Sequence, residues 1–488
     1  MNENRILNFI DGAYTEGSSG RTFEDRNPAS NRLVARVHEA GEADVDRAVT
    51  AARAALDGEW GTFDAARRAA LLHKVADGIM ARKDEFAAAE RADTGKLKGP
   101  TAMIEIPRGA EQFRVFADIV KHCHAETIET TMPDGGMAIN YAQRVPKGVI
   151  AAICPWNVPF VLMTWKVAPA LACGNAIVVK PSEETPATAA LLGEIMNEAG
   201  VPAGVYNVVQ GFGPDSAGAF LTSHPGVDAI TFTGETRTGE AIMRSAATGA
   251  RAVSLELGGK NAAIVFADCD FEKAIMGTMT SVFFNCGQIC FGTERVYVER
   301  PIYERFVAAL KDKVKGLRHG DPADPNTTMA PLISLGHREK VLSYYHQAMA
   351  DGATVVTGGG IPDMAADWAD GAWIEPTIWT DLPEDAAVVR EEIFGPCCRI
   401  APFDDEGEIV ALANNNDYGL AASVWSQDVS RANRVASKLE VGVVWINSWM
   451  IRDLRTPFGG FKKSGLGREG GVHSLEFYTE TRNVCVKL

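Results

Sequence analysis

The sequence predicts an α/β protein with doubly wound parallel sheets. From about residue 148, short apolar, β-branched runs alternate with segments of helical spacing. The chain has 488 residues, 46% of them apolar, enough for two or three packed cores. No repeat of roughly 20–50 residues and no low-complexity linker breaks the pattern.

The elements follow in order. Residues 42–92, rich in Ala, Arg and Glu, read as two or three amphipathic helices. VIAAIC is a buried strand, and TWKVAPALACG is a helix beyond a proline-containing turn. AIVVK is the next strand, followed by a helix over SEETPATAALLGEIMNEAG with Ser182 as its expected N-cap. VYNVVQG, SAGAFLTSH, AITFTG and TGEAIMRSAA continue the alternation. It resumes after about 259 with AAIVFA, a long helix from Phe271, VYVE and IYERFVAALKDKV. The later runs ATVVTGG, WIEPTIWTDL, ASVWSQ and VGVVWIN belong to the same second unit. A boundary is therefore expected near 258. The final segment GVHSLEFYTETRNVCVKL holds a strand without a hairpin partner, expected to pair with another element or subunit, or to dock on its own domain.

Composition excludes several classes. The net charge of −15 disfavours nucleic-acid binding, and an anionic substrate would need local Arg or Lys. Nine scattered cysteines do not form a disulfide framework, and a reducing cytoplasm is expected. The opening MNENRILNFIDGAYTEG reads as no signal peptide. Residues 148–165 carry no charge, but Pro155, Asn157 and Pro159 make this stretch a strand, turn and helix start rather than a membrane span.

Two segments carry candidate chemistry. Cys290 ends FFNCGQIC (283–290), and Glu256 lies between leucines in SLELGGKN (254–261). Taken alone, Cys290 reads as either a reactive thiol or a small buried hydrophobe. Likewise, Glu256 reads as a surface residue or as a base of raised pKa. However, ELGGKN, NCGQIC, CPWNVP, FTGETRTG, EEIFGP and PFGGFKKSGLGREGG occur together along this chain. In that combination the sequence resembles the aldehyde dehydrogenase superfamily over essentially its whole length.

The resemblance implies a mechanism. Cys290 attacks the aldehyde carbon, and the side-chain amide of Asn157 with the Cys290 N–H stabilises the oxyanion. Hydride leaves to a nicotinamide, and Glu256 activates water to hydrolyse the thioester. Relatives that transfer the acyl group to coenzyme A usually lack this base, so hydrolysis is expected. Lys166, in TWKVAP, is similar to a lysine near the family's proton exit path, although it also reads as a helix charge.

The cofactor implied is NAD. GETRTG (234–239) follows a strand and opens a helix, a location suited to a pyrophosphate, although its spacing is not GxGxxG. The resemblance assigns Ile153, Pro155, Trp156, Phe232, Thr233, Gly234, Glu235, Gly239 and Leu257 to this site, with Gly213 near the adenine end. It puts Lys180 on the adenine ribose and Glu183 beside it, where a carboxylate would repel a 2′-phosphate. Glu392 is implied for the nicotinamide ribose and Phe394 for packing near the nicotinamide.

The substrate reading rests on WINSWMIRDLRTPFGG (445–460), where Arg452 stands at a position often apolar in relatives that oxidise neutral aldehydes. Arg452 and Arg108, in EIPRGA, are expected to clamp a carboxylate. The alternative is that each pairs with a structural acid such as Asp453. Trp165 and Leu162 line the apolar channel or belong to the core. This subpattern is similar to enzymes acting on 2-hydroxymuconate and 2-aminomuconate semialdehydes. A 5-carboxymethyl analogue or a broad aldehyde range is the alternative.

The resemblance divides the chain into a Rossmann-type NAD-binding domain (1–127 and 147–258), an α/β catalytic domain (259–458) and a small β oligomerisation element. That element takes residues 128–146 and the terminal strand within the return segment 459–488. A homodimer or homotetramer is expected, with no nucleic-acid or membrane partner. No metal is expected: Cys286 reads as packing, Cys397 and Cys398 are adjacent, and His122 and His124 lack a completing set. A non-catalytic protein of this fold would be expected to have lost Cys290, Glu256 or Asn157, and all are present.

Overall fold

A computed structural model describes residues 4–488; Met1–Glu3, the start of the segment read for a leader, lie outside the described residues. Two large sheets organise the chain. In the eight-stranded sheet the central strands are parallel, in the order Ala252–Glu256, Ala229–Thr233, Val149–Ile153, Ala176–Lys180 and Tyr206–Val208. Strand order runs outward in both directions from Val149–Ile153. The crevice beyond its carboxyl end is thus a topological switch point, where open α/β sheets bind ligands.

Val149–Ile153, Ala176–Lys180 and Ala229–Thr233 are buried throughout, which is why they read as continuous apolar runs. Antiparallel edges come from Asn8–Ile10, Ala13–Thr15 and the returning Gly465–Leu466. The helices Glu42–Asp57, Ala65–Ala81 and Lys83–Thr94 match the amphipathic pattern, and the second is capped by Asp64 accepting from the Arg67 N–H.

The seven-stranded sheet has the order Thr354–Thr357, Thr377–Thr380, Cys397–Phe403, Thr293–Glu299, Asn261–Val265, Ala421–Trp425 and Val443–Ile446. Only the first of these pairs antiparallel. Leu257–Lys260 carries the chain from the last parallel strand of one sheet to the first strand of the other.

One expectation changes. Ser182 is not an N-cap: the helix runs Ala187–Ala199 with Pro186 before it, and Ser182–Thr185 form a turn. Proline at 186 disfavours helical backbone in the preceding residue, so the helix starts later. The terminal strand finds its partner within the chain. Thr479–Lys487 pairs antiparallel with Met137–Pro146, which also pairs with Thr127–Thr131. The apolar stretch at 148–165 is a strand, a turn and the start of the helix Pro159–Ala172. Among the described residues no helix is long and apolar enough to cross a membrane.

Candidate active site

The two sheets meet where their strands end. Glu256 is the last residue of its strand, and Cys290 lies just before Thr293–Glu299 of the other sheet. The backbone ahead of Cys290 is tightly coiled, with Asn285, Cys286 and Gly287 all at positive φ (51°, 56° and 71°). A side chain at 287 would collide with the carbonyl of Gly395. Asn261 fastens the segment from the other side, its amide donating to the carbonyls of Cys290 and Gly292, each at 2.8 Å.

Asn157 follows the switch-point strand and is buried. Its Nδ2 donates to the Gln288 carbonyl at 3.0 Å, and its own carbonyl accepts from Asn285 Nδ2 at 3.0 Å. The Asn157 amide is thus held against the Cys290 segment. Among the described residues the Cys290 N–H donates to no protein acceptor. Burial raises the Cys290 thiol well above its ordinary pKa, and the carboxylates of Glu256 and Glu392 add to the rise.

Glu256 is 4% exposed, and neither carboxyl oxygen has a hydrogen-bond partner. Burial pushes its pKa well up, Glu469 raises it further, and Lys166, Arg452 and Arg468 oppose the shift. Space for this carboxyl comes from Gly459, at φ +148°, where a Cβ would stand 2.8 Å from Glu256 Oε1. Lys166 is fully buried and donates to Glu469 Oε1 at 2.9 Å and Thr231 Oγ1 at 3.0 Å. It is therefore not a solvated helix charge. Glu469, not singled out from the sequence although it lies in the GREGG motif, links Lys166 electrostatically to Glu256.

Beyond the switch point opens a cleft of about 310 Å³ that reaches Cys290 and Asn157. Pro155, Trp156, Thr233, Gly234, Glu235, Leu257, Glu392 and Phe394 line it, with Arg237 and Gly258 from the quoted GETRTG and ELGGKN motifs and His337 and Lys340, which carried no recognisable local signal. Glu392 accepts from the Gly259 N–H at 2.8 Å; burial and Glu294 raise its pKa to about 8. His337 donates from Nε2 to the Phe394 carbonyl at 2.8 Å, and its ring stands edge-on to Trp156. Burial pulls its pKa to about 4, so the imidazole is neutral.

Other residues expected at the cofactor do not line this cleft. Ile153 and Phe232 are core side chains, and Gly239 gives Leu257 room to pack, since a Cβ there would lie 2.7 Å from Leu257 Cδ2. Lys180 and Glu183 pair with each other at 3.1 Å at the end of the next strand. Gly213 makes no close approach, because a Cβ there would meet nothing within 4 Å.

On the other side of Cys290, the Arg452 guanidinium is stacked between the rings of Trp165 and Phe458, 4.1 Å from each. Its Nε and Nη2 are buried without partners, and among the described residues it makes no ion pair. Asp453, the acid closest in sequence, pairs with Arg455 instead, at 2.7 Å. Burial lowers the Arg452 pKa to about 10, so the group is still a cation at neutral pH. Arg108 Nη2 donates to the backbone carbonyl of Arg452 at 3.0 Å. Trp165 is buried and Leu162 half-buried on the same helix. Phe291, Trp445 and Trp449 build an aromatic wall here, with Trp449 Nε1 donating to the Phe291 carbonyl at 3.3 Å.

A partly buried thiol, an unpaired carboxyl and a side-chain amide aimed at the same segment, next to a crevice at a sheet switch point, define a thiol-dependent α/β catalyst. The chain belongs to the aldehyde dehydrogenase family, which it matches over residues 14–484. It is 67% identical to a 2-hydroxymuconic semialdehyde dehydrogenase of Pseudomonas sp. (strain CF600), covering 99% of both chains. It is 54% identical to a 2-aminomuconic 6-semialdehyde dehydrogenase of Pseudomonas sp, covering 99% of this chain and 98% of the relative. Among solved structures, an NAD+ complex of aldehyde dehydrogenase from Bacillus cereus superposes with a TM-score of 0.96 at 40% identity, covering 99% of this chain and 97% of that one.

Proposed function

We propose that the protein is an NAD-dependent, non-acylating aldehyde dehydrogenase that oxidises a short unsaturated semialdehyde carrying a carboxylate to the dicarboxylate. The reading is 2-hydroxymuconate 6-semialdehyde, with 2-aminomuconate 6-semialdehyde as the alternative substrate; both names come from the relatives. One observation carries the substrate class. Arg452 is a half-buried cation whose Nε and Nη2 are buried without partners, and among the described residues it has no acidic partner; it lies on the aromatic side of Cys290. A carboxylate leaving water needs such compensating charge and donors.

Residues suited to NAD are present. The crevice lies at the switch point, Gly234 and the start of the helix Thr236–Ala247 face it, and Glu392 projects into it. Lys180 and Glu183 would hold the adenine ribose. NAD supplies the hydride acceptor when bound. Cys290 gives its proton to water in the cleft and adds as thiolate to the aldehyde carbon, giving a tetrahedral thiohemiacetal oxyanion. Asn157 Nδ2 and the Cys290 N–H stabilise its oxyanion. After the aldehyde hydrogen departs as hydride, the carbon is held as a thioester on Cys290. Glu256 takes a proton from water, which adds to the thioester carbon and releases the acid and the thiol. Lys166 and Glu469 offer that proton a route onward from Glu256.

The same reading assigns residues 1–127 and 147–258 to cofactor binding, 259–458 to the thiol domain, and 128–146 with 459–488 to oligomerisation. It favours a homodimer or homotetramer in a reducing cytoplasm. The test is steady-state NADH formation across acidic semialdehydes and neutral enals of equal length. Equal efficiencies for the two classes would remove the substrate assignment.

A further inference from the structure

We propose that Glu294 is a positioning residue: its single carboxylate sets the Glu392–Phe394 loop against the cofactor cleft. This rests on the reading that Glu392 and Phe394 face NAD. Glu294 lies four residues after Cys290, on the strand Thr293–Glu299, and its side chain is 7% exposed. Its Oε1 accepts from the Phe394 N–H at 2.9 Å and the Ile393 N–H at 3.2 Å. Its Oε2 accepts from Ile393 at 3.1 Å and pairs with Lys260, whose side chain is fully buried.

The loop needs such a tie. Phe394 is a non-glycine residue at φ +63°, a conformation that persists only where surroundings impose it. No strand ladder covers Ile393 and Phe394, and their N–H groups find their acceptors on a side chain. Glu294 takes the amide side and His337 the Phe394 carbonyl. Lys260 precedes Asn261, the residue that fastens the Cys290 segment. The Lys260–Asn261 dipeptide therefore ties the cofactor loop, through Glu294, to the same strand end that holds Cys290. Glu294 acts at a distance: it does not line the cleft, whereas Glu392 and Phe394 do.

The two variants that test this differ in what they keep. Glu294→Gln retains one oxygen for the two amides and loses the charge opposite Lys260, whereas Glu294→Ala loses everything. The expected result is a graded rise in KM for NAD, several-fold for Gln and more than ten-fold for Ala. A primary isotope effect with deuterated aldehyde should emerge as hydride transfer slows. Hydrolysis of p-nitrophenyl acetate without NAD acylates the thiol directly and needs no hydride acceptor, so it should stay within two-fold. An equal fall of both activities, or a KM for NAD within two-fold in both variants, overturns the proposal. If the Ala variant does not fold, the Gln variant decides by the same split. Glu392→Gln is the control for the underlying reading. A raised KM for NAD there, without one in either Glu294 variant, rejects the positioning role alone; no change in the Glu392 variant rejects the reading itself.

Discussion

Arg108 holds Arg452 by its backbone: Nη2 of the first donates to the main-chain carbonyl of the second at 3.0 Å, across 344 residues of sequence. The two arginines are therefore not equivalent halves of a clamp. Arg452 presents unpartnered nitrogens, and Arg108 fixes the segment that presents them while adding positive potential.

Removing Arg452 should accordingly be the more selective lesion. Arg452→Ala is expected to cost about 2–4 kcal/mol in transition-state binding of an acidic semialdehyde, roughly a thirty-fold to thousand-fold fall in kcat/KM. A neutral enal of the same length should change little. Arg108→Ala should lower the acidic substrate less, with a smaller loss on the enal because the loop loosens. Equal losses on both substrates for Arg452→Ala would mean that its stacking alone matters.

Glu256 should write its raised pKa into the pH profile. The group acts as a base only after losing its proton, and burial with Glu469 nearby raises the pH at which this happens. Deacylation should therefore be lost as pH falls through that raised value, above the ordinary carboxylic range. Glu256→Gln should show a burst of NADH, then a slow phase, with acyl-enzyme visible by mass spectrometry. A variant that retained the acid limb would assign it to another group.

The Cys290 thiol is neutral in the resting structure, since burial and two carboxyls raise its pKa. Its alkylation by iodoacetamide should be slow at neutral pH and rise with pH. Cys290→Ala should abolish NADH formation while calorimetry finds NAD binding within a few-fold. Measurable steady-state turnover by that variant would place the nucleophile elsewhere.

Cofactor choice should depend on Glu183. A carboxylate beside the adenine ribose would repel a 2′-phosphate, so NAD should exceed NADP in kcat/KM, and Glu183→Ser should narrow the gap. Lys180, paired with Glu183 at 3.1 Å, becomes free in that variant and should favour the phosphate further. An unchanged ratio would move the discrimination to other residues.

Much of the site was legible because its chemistry sits in short motifs. Glu256 ends a strand, Asn157 follows one and Cys290 precedes one, and their neighbours announce the turns that expose them. The residues that escaped are those whose partners lie far away in sequence. Glu469 meets Lys166 303 positions back, and His337 meets Phe394 57 positions on. The helix expected to start at Ser182 starts at Ala187, since Pro186 outweighed a good capping side chain.

The sequence by itself determined the alternation of strand and helix, the turn chemistry at the ends of the strands, and the residue types available for catalysis. These are local properties, set by side-chain period and by which backbone angles a residue tolerates. Only the tertiary structure decided which of several similar groups is left free to act. Arg452 and Arg455 flank the same Asp453, and it is Arg455 that the acid engages. Arg452 instead lies between two aromatic rings, Trp165 from the helix Pro159–Ala172 and Phe458 from the segment that follows Arg452 itself. Packing there covers Nε and Nη2 and keeps acids away, so of the two readings open to Arg452 the pairing with Asp453 is not the one the structure makes.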